Sequence, residues 1–308
     1  MLDFLLIAMH SCFLTPLQTP WYNLGHVPVQ CDVEHFADGE TLIKWSSKPA
    51  LENKDVVLWY QVGFPPSNVQ QCSPLNSQLI DLFCAVRSIK ENGAKTVNLV
   101  VPYLPYARQD KPGQFAQTGQ LDLIVTLAKS AGASQIITCD IHNQNVIGSL
   151  PLPVRNISGA PFWYDFLKST SFIDSAAVSL QEVVIASPDE GGMRRVRDIA
   201  GADFPFVTAQ KKRIGKDTVQ MIGINGDVTG KVVVLCDDII DTAGTAIKAC
   251  DLFLKHGATK VIGCFTHGVL SANAVARIQE SSFSMVFIAA TVSFASKDLG
   301  SKITVVRI

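Results

Sequence analysis

At 308 residues the chain is long for one hydrophobic core and comfortable for two, so two domains of roughly 150 residues each are expected. Hydrophobic residues make up 47% and charged residues 17%, with a formal net charge of −1. That balance excludes a basic nucleic-acid footprint and an acidic disordered tail, and leaves small-ligand chemistry.

The chain opens on MLDFLLIAMHSCFL, whose apolar centre is similar to the core of a secretory signal. It carries Asp3, no Lys or Arg and no clear small-residue cleavage site, so a buried strand over Phe4–Met9 is the expectation. No later apolar run reaches the ~18 residues a membrane-crossing helix needs, which predicts a soluble, cytoplasmic protein without a membrane partner. The eight cysteines form no C-x-x-C pair and read as reduced residues of packed segments.

From there apolar strands alternate with helical segments. DVVLWY precedes NSQLIDLFCAVRSIKENGA, TVNLVVPY precedes TGQLDLIVTLAKSAGA, and QIITCDIH precedes a Pro-rich crossing. The second half repeats the rhythm with EVVIASPDEGG and MRRVRDIAGA, KVVVLCDDIIDTAGT and AIKACDLFLKHGA, then KVIGCFTHGVLS and ANAVARIQES. Continuous β-branched runs bounded by glycine read as parallel strands buried on both faces, the α/β pattern of a mainly parallel sheet flanked by helices. The Pro, Gly and Ser cluster at Gly148–Pro161 sets domains at 1–155 and 156–290, with 291–308, which ends in KITVVRI, open to a return to the first domain. In such sheets ligands bind beyond the carboxyl ends of the strands, so the residues just after each apolar run are the candidates for function.

The stretch VVVLCDDIIDTAGTA, Val232–Ala246, sets three acids beside a helix start, which by itself attracts anions. A strand over Lys231–Cys236 is expected to end at Asp237 and Asp238, with the helix beginning around Gly244. Backbone N–H groups of Thr242, Ala243, Gly244 and Thr245, with the Thr hydroxyls, suit a phosphate, and Asp241 just before them joins the same ribose-phosphate candidate set. Asp237 and Asp238 suit vicinal hydroxyls or a hydrated divalent cation. Ribose 5-phosphate meets both demands; an N-capping Asp241 with two solvated acids is the plainer alternative.

This array resembles the phosphoribosyl-binding loop of the phosphoribosyltransferase fold. Four further stretches, read with it, resemble the ribose-phosphate diphosphokinase family from about Val33 to Ile308. The resemblance implies two phosphoribosyltransferase-like domains, ATP and ribose 5-phosphate as substrates, Mg²⁺ as cofactor, and a homo-oligomer whose ATP site lies at a subunit interface. In EHFADGE it implies that Phe36 stacks on adenine while Asp38, Gly39 and Glu40 complete the ATP-binding turn. In PYLPYARQD it implies that Arg108 and Gln109 contact ATP. His142 of TCDIHNQNVIG and Asp189 of ASPDEGGMRRV are implied metal-site residues. Glu190 stands where the family usually has Ala, a carboxylate beside a diphosphate. AQKKRIGKD corresponds to a mobile catalytic loop in which Lys211 and Arg213 close over the transferring group, Arg213 also meeting ribose 5-phosphate; Lys212 takes that place if the register slips by one. Two other readings stay open: a phosphoribosyltransferase that consumes phosphoribosyl diphosphate, and a catalytically silent regulatory relative.

Overall fold

The computed structural model describes residues 4–10, 29–45, 50–64, 74–110, 119–213, 219–294 and 298–307. Its contacts separate into two units, Met1–Ile157 with Thr291–Ser296, and Ser158–Ala290 with Lys297–Ile308.

In the first unit the strands are β1 (Phe4–His10), β2 (Val29–His35), β3 (Thr41–Trp45), β4 (Asp55–Gln61), β5 (Thr96–Val100), β6 (Gln135–Cys139) and β7 (Val154–Ile157). They form one sheet in the order β3-β2-β1-β4-β5-β6-β7. Every pairing is parallel except the β2–β3 hairpin. The apolar opening segment is therefore a sheet strand, paired along its length with β4 from Phe4↔Asp55 to His10↔Gln61. Helices α1 (Leu75–Glu91) and α2 (Leu121–Ala131) are the crossovers that parallel neighbours require. Gly132 closes α2 in the left-handed region at φ 115°, as the phrase KSAGA predicts.

The strands of this sheet depart from burial on both faces. In β4, β5 and β6 fully buried residues alternate with half-buried ones. The half-buried face carries a polar run in which Thr96 Oγ1 donates to Asp55 Oδ1 (2.8 Å) and Gln135 Nε2 to Asn98 Oδ1 (2.9 Å). The paired polar side chains satisfy one another there, beside Val57, Trp59, Val100 and Ile137 on the same half-buried face.

The second unit contains β8 (Val183–Ser187), β9 (Phe206–Arg213), β10 (Val219–Asn225), β11 (Val232–Ile240), β12 (Lys260–Gly268), β13 (Met285–Ala289) and β14 (Ile303–Val306). Their order is β10-β9-β8-β11-β12-β13-β14, parallel except for the β9–β10 hairpin. Here the continuous-run expectation holds, since every residue of β8 is buried. Helices α3 (Ala160–Lys168), α4 (Thr170–Ala176), α5 (Met193–Ala200), α6 (Gly244–Lys255) and α7 (Ala274–Glu280) complete the unit. Trp163, Phe166 and Phe172 pack with Phe287 and the β8 and β11 aliphatics in one core.

The last strand goes to the second sheet, not back to the first. β14 pairs with β13 from Val286↔Ile303 to Ala289↔Val306, where the edge of β13 offers its backbone groups and Ile303 becomes buried. Only the preceding turn joins the first unit, with the Ser293 N–H donating to Val62 O (2.8 Å). Cys31, Cys236, Cys250 and Cys264 are buried and, like Cys84 and Cys139, form no disulfide among the described residues; Cys12 and Cys72 lie outside them.

Candidate active site

In the second unit Asp237 and Asp238 sit inside a strand, not past its end, and only Asp241 follows it. The strand expected over Lys231–Cys236 runs instead to Ile240, because β12 stays in register with it through Asp237↔Phe265 and Ile240↔Gly268. On the other flank β8 pairs only as far as Leu235↔Ala186, so β11 loses one neighbour just before Asp237. Arg195 of α5 enters on that side, its Nη1 lying 3.2 Å from Asp237 Oδ1 and 3.4 Å from Asp238 Oδ1. The Asp238 side chain is 6% exposed and that of Asp237 25%. Burial, the adjacent Asp238 carboxylate and, more weakly, Asp189 push the Asp237 carboxyl well above the usual carboxylate range, against the pull of Arg195.

Helix α6 begins at Gly244, where the sequence places it. Ala243 precedes it in the left-handed region at φ 63°, and no side chain caps the helix, so its first-turn N–H groups face the loop. Asp241 is held by Ser271 Oγ, and Arg277 Nη1 donates to Thr242 O at 2.8 Å. A Cβ on Gly244 would stand 3.3 Å from Arg277 Nη2, so the guanidinium lies directly over the helix start. Thr245 is exposed at the same end. The acids and the anion-seeking turn thus form one continuous edge, Asp237 to Thr245, with basic groups at both ends.

The turn after β8 brings in the next candidates. Asp189 Oδ1 accepts from the Gly192 N–H (3.2 Å), while its Oδ2 forms an ion pair with Lys211 of β9. Gly192 admits no side chain, since a Cβ there would lie 2.3 Å from Ser187 Oγ. Glu190 is exposed. Lys211 faces Met221 across the β9–β10 hairpin. Arg213 is the last residue of β9, but its side chain and that of Lys212 lie outside the described residues.

In the first unit three candidate groups occupy the carboxyl edge of the sheet. Phe36 to Glu40 form the tip of the β2–β3 hairpin, with Phe36 55% exposed, Gly39 at φ 93° and Asp38 Oδ1 accepting from the Glu40 N–H (3.0 Å). Arg108 and Gln109 follow β5 in a loop whose Tyr106 adopts φ 64° and donates to Asn76 Oδ1 (2.6 Å). His142 follows β6 and is exposed; the neighbouring Asn143 side chain donates to Asp110, tying this loop to that of Arg108. The Arg108 and His142 loops are therefore joined, whereas Phe36 stands apart. From β2 to β5 is three strand spacings, roughly 14 Å.

Backbone strain marks the same edges. Of the seven non-glycine residues at positive φ among the described residues, five, Tyr106, Asp140, Ala243, Leu270 and Ala272, lie in loops following β5, β6, β11 or β12, while Asn53 and Ala177 lie elsewhere. Such costs persist where a loop geometry serves a ligand.

Among the described residues no group of three His, Cys, Asp or Glu side chains is arranged to hold a metal ion. The donors that are close, Asp189, Asp237 and Asp238, are carboxylate oxygens already offset by the Lys211 and Arg195 cations. That donor set suits a hard divalent cation carried by one or two carboxylates, water and substrate phosphates. His142, an exposed nitrogen donor of the first unit, suits it less.

Arg195, Ser271 and Arg277 were absent from the sequence candidates. Arg195 was legible, since it lies four residues before Ile199 on the buried face of α5, where a charged residue requires a partner. Replacing it by glutamine removes the cation that faces both carboxylates, and should cost about 2–4 kcal/mol in urea unfolding, much of it recovered by lysine.

Two family models match in chain order: the N-terminal domain of ribose phosphate pyrophosphokinase over residues 21–132 and the phosphoribosyl synthetase-associated domain over residues 204–308. Ribose-phosphate pyrophosphokinase of Bacillus caldolyticus is 34% identical over 254 residues, which is 82% of this chain and 74% of that protein. The chloroplastic ribose-phosphate pyrophosphokinase 5 of Arabidopsis thaliana is 32% identical over 300 residues, 97% of this chain and 69% of that one. The crystal structure of phosphoribosylpyrophosphate synthetase from Mycobacterium smegmatis superimposes with a TM-score of 0.82 at 25% identity, covering 99% of this chain and 94% of that one. With both halves matched in order and the likeness running nearly end to end, the chain belongs to the ribose-phosphate pyrophosphokinase family.

Proposed function

We propose that this protein transfers the β,γ-diphosphoryl group of ATP to the 1-hydroxyl of ribose 5-phosphate, giving 5-phosphoribosyl 1-diphosphate and AMP. The observation that carries the reading is the edge from Asp237 to Thr245, where the Asp237 and Asp238 carboxylates are followed within a few residues by an uncapped helix start. Asp237 and Asp238 accept hydrogen bonds from ribose hydroxyls, and the backbone of Thr242 to Thr245 receives the 5-phosphate beneath Arg277.

On the ATP side Arg108 offers a forked donor to phosphate and Phe36 an exposed ring for adenine. The separation of Phe36 from Arg108 within one unit favours a homo-oligomer in which one subunit's hairpin completes another's ATP site. Lys211 and Arg213 neutralise charge on the transferring group, since such transfer is governed by alignment and electrostatics. Asp189 would hold Mg²⁺ and add charge neutralisation along the phosphates; His142 of the first unit, an exposed imidazole, is a weaker metal donor by its chemistry.

The silent-relative and phosphoribosyltransferase readings separate from this one in a single assay. With Mg²⁺, ATP and ribose 5-phosphate the protein should release AMP, and ribose 5-phosphate should be required for that release. ADP as the nucleotide product, or consumption of phosphoribosyl diphosphate with a free base and no ATP, would overturn the reading. Thermal stabilisation by the ligands without turnover would identify the silent relative.

A further inference from the structure

The hairpin that carries Phe36 is weakly anchored by its backbone. Among the described residues β2 pairs with β1 at two positions, Ile7↔Val29 and Ala8↔Gln30, and then runs on to His35 paired with β3. β3 is the edge of the sheet, so the tip is located by what its side chains touch.

One buried carboxylate does most of this. Asp81 of α1 is 3% exposed, and its Oδ1 accepts from both His35 Nε2 (2.9 Å) and Thr41 Oγ1 (2.7 Å). His35 and Thr41 are cross-strand partners, and they immediately flank the turn Phe36–Glu40. A second tie lies two helical turns further along α1, where Trp45 Nε1 donates to Ser88 Oγ at 2.9 Å. Seven residues of helix rise about 10 Å and the four steps from Thr41 to Trp45 about 13 Å, so the edge strand lies along the helix and is pinned at both ends. The Asp81 end is the one next to the turn.

A buried carboxylate on a helix is costly without partners. What Asp81 supplies that an apolar residue cannot is a fixed position for both stems of the turn. We propose that Asp81 is a positioning residue for nucleotide recognition: through His35 and Thr41 it sets where Phe36, Asp38 and Glu40 stand, without itself touching the nucleotide. This rests on the assignment of the Phe36 turn to ATP.

The test compares wild type with Asp81→Asn and Thr41→Val, using calorimetric titration of Mg-ATP, separate titration of ribose 5-phosphate, and melting curves. Asparagine keeps the shape but weakens acceptance from two donors; valine removes one bond and leaves Asp81 in place. The expected result is about tenfold weaker ATP binding for Asp81→Asn and about threefold for Thr41→Val, with ribose 5-phosphate affinity unchanged in both. Asp81→Glu should recover part of the loss. If Asp81→Asn fails to fold, Thr41→Val alone decides. ATP affinity unchanged in the folded variants, or an equal loss toward both ligands, would overturn the proposal. Wild type that binds ribose 5-phosphate but no ATP would overturn the assignment of the turn as well, a result distinct from either.

Discussion

Replacing Lys211 by alanine is expected to lower kcat by about 10³-fold while leaving the dissociation constant of Mg-ATP within about threefold of wild type. Lys211 sits on β9 with its ammonium on the Asp189 carboxylate, at the mouth of the turn that follows β8. In the proposed transfer to ribose its charge would act where negative charge shifts during bond cleavage, so removing it should weaken the transition state far more than the ground state. Single-turnover kinetics paired with equilibrium ATP binding separate the two effects. Equal losses in both would mean that Lys211 only holds the nucleotide.

Asp237→Asn is expected to act in opposite directions on activity and stability. The Asp237 carboxyl is held above its ordinary range by burial and by Asp238, so its ionised form costs stability in the folded protein. The sign follows from linkage. A raised folded-state value gives a contribution fully present below the unfolded-state value and lost as pH rises through the folded one. At neutral pH the free protein therefore carries the cost, and asparagine should relieve it and raise Tm. Lowering the pH toward the acid range should shrink the difference between variant and wild type. The same substitution removes an anionic acceptor for ribose hydroxyls, so kcat/KM for ribose 5-phosphate should fall by at least about 10²-fold. A destabilised but active variant would contradict the assignment of Asp237.

The chemistry of the site was legible where it is local in sequence. The strand, the acids and the start of α6 at Gly244 follow one another within a few residues, and hydrophobic runs with glycine stops are enough to place them. The end of β11 was not legible, because it is set by pairing with Phe265 to Gly268 on β12. The same holds for the clamp on the Phe36 turn, where Asp81 reaches partners 46 and 40 residues away. Ser271 and Arg277 reach the turn before α6 across 30 and 35 residues, and no local phrase announces them. The final strand was ambiguous for a related reason: KITVVRI fits either parallel edge by composition, and only its pairing with β13 decides.

The reading stands or falls on what happens at the ribose. Phosphorus NMR of a reaction containing Mg²⁺, ATP and ribose 5-phosphate should show a new diphosphate ester growing in step with AMP, one for one, while the 5-phosphate monoester persists in the product. ADP accumulating with a ribose 1,5-bisphosphate, or inorganic diphosphate appearing with AMP and unchanged ribose 5-phosphate, would contradict it.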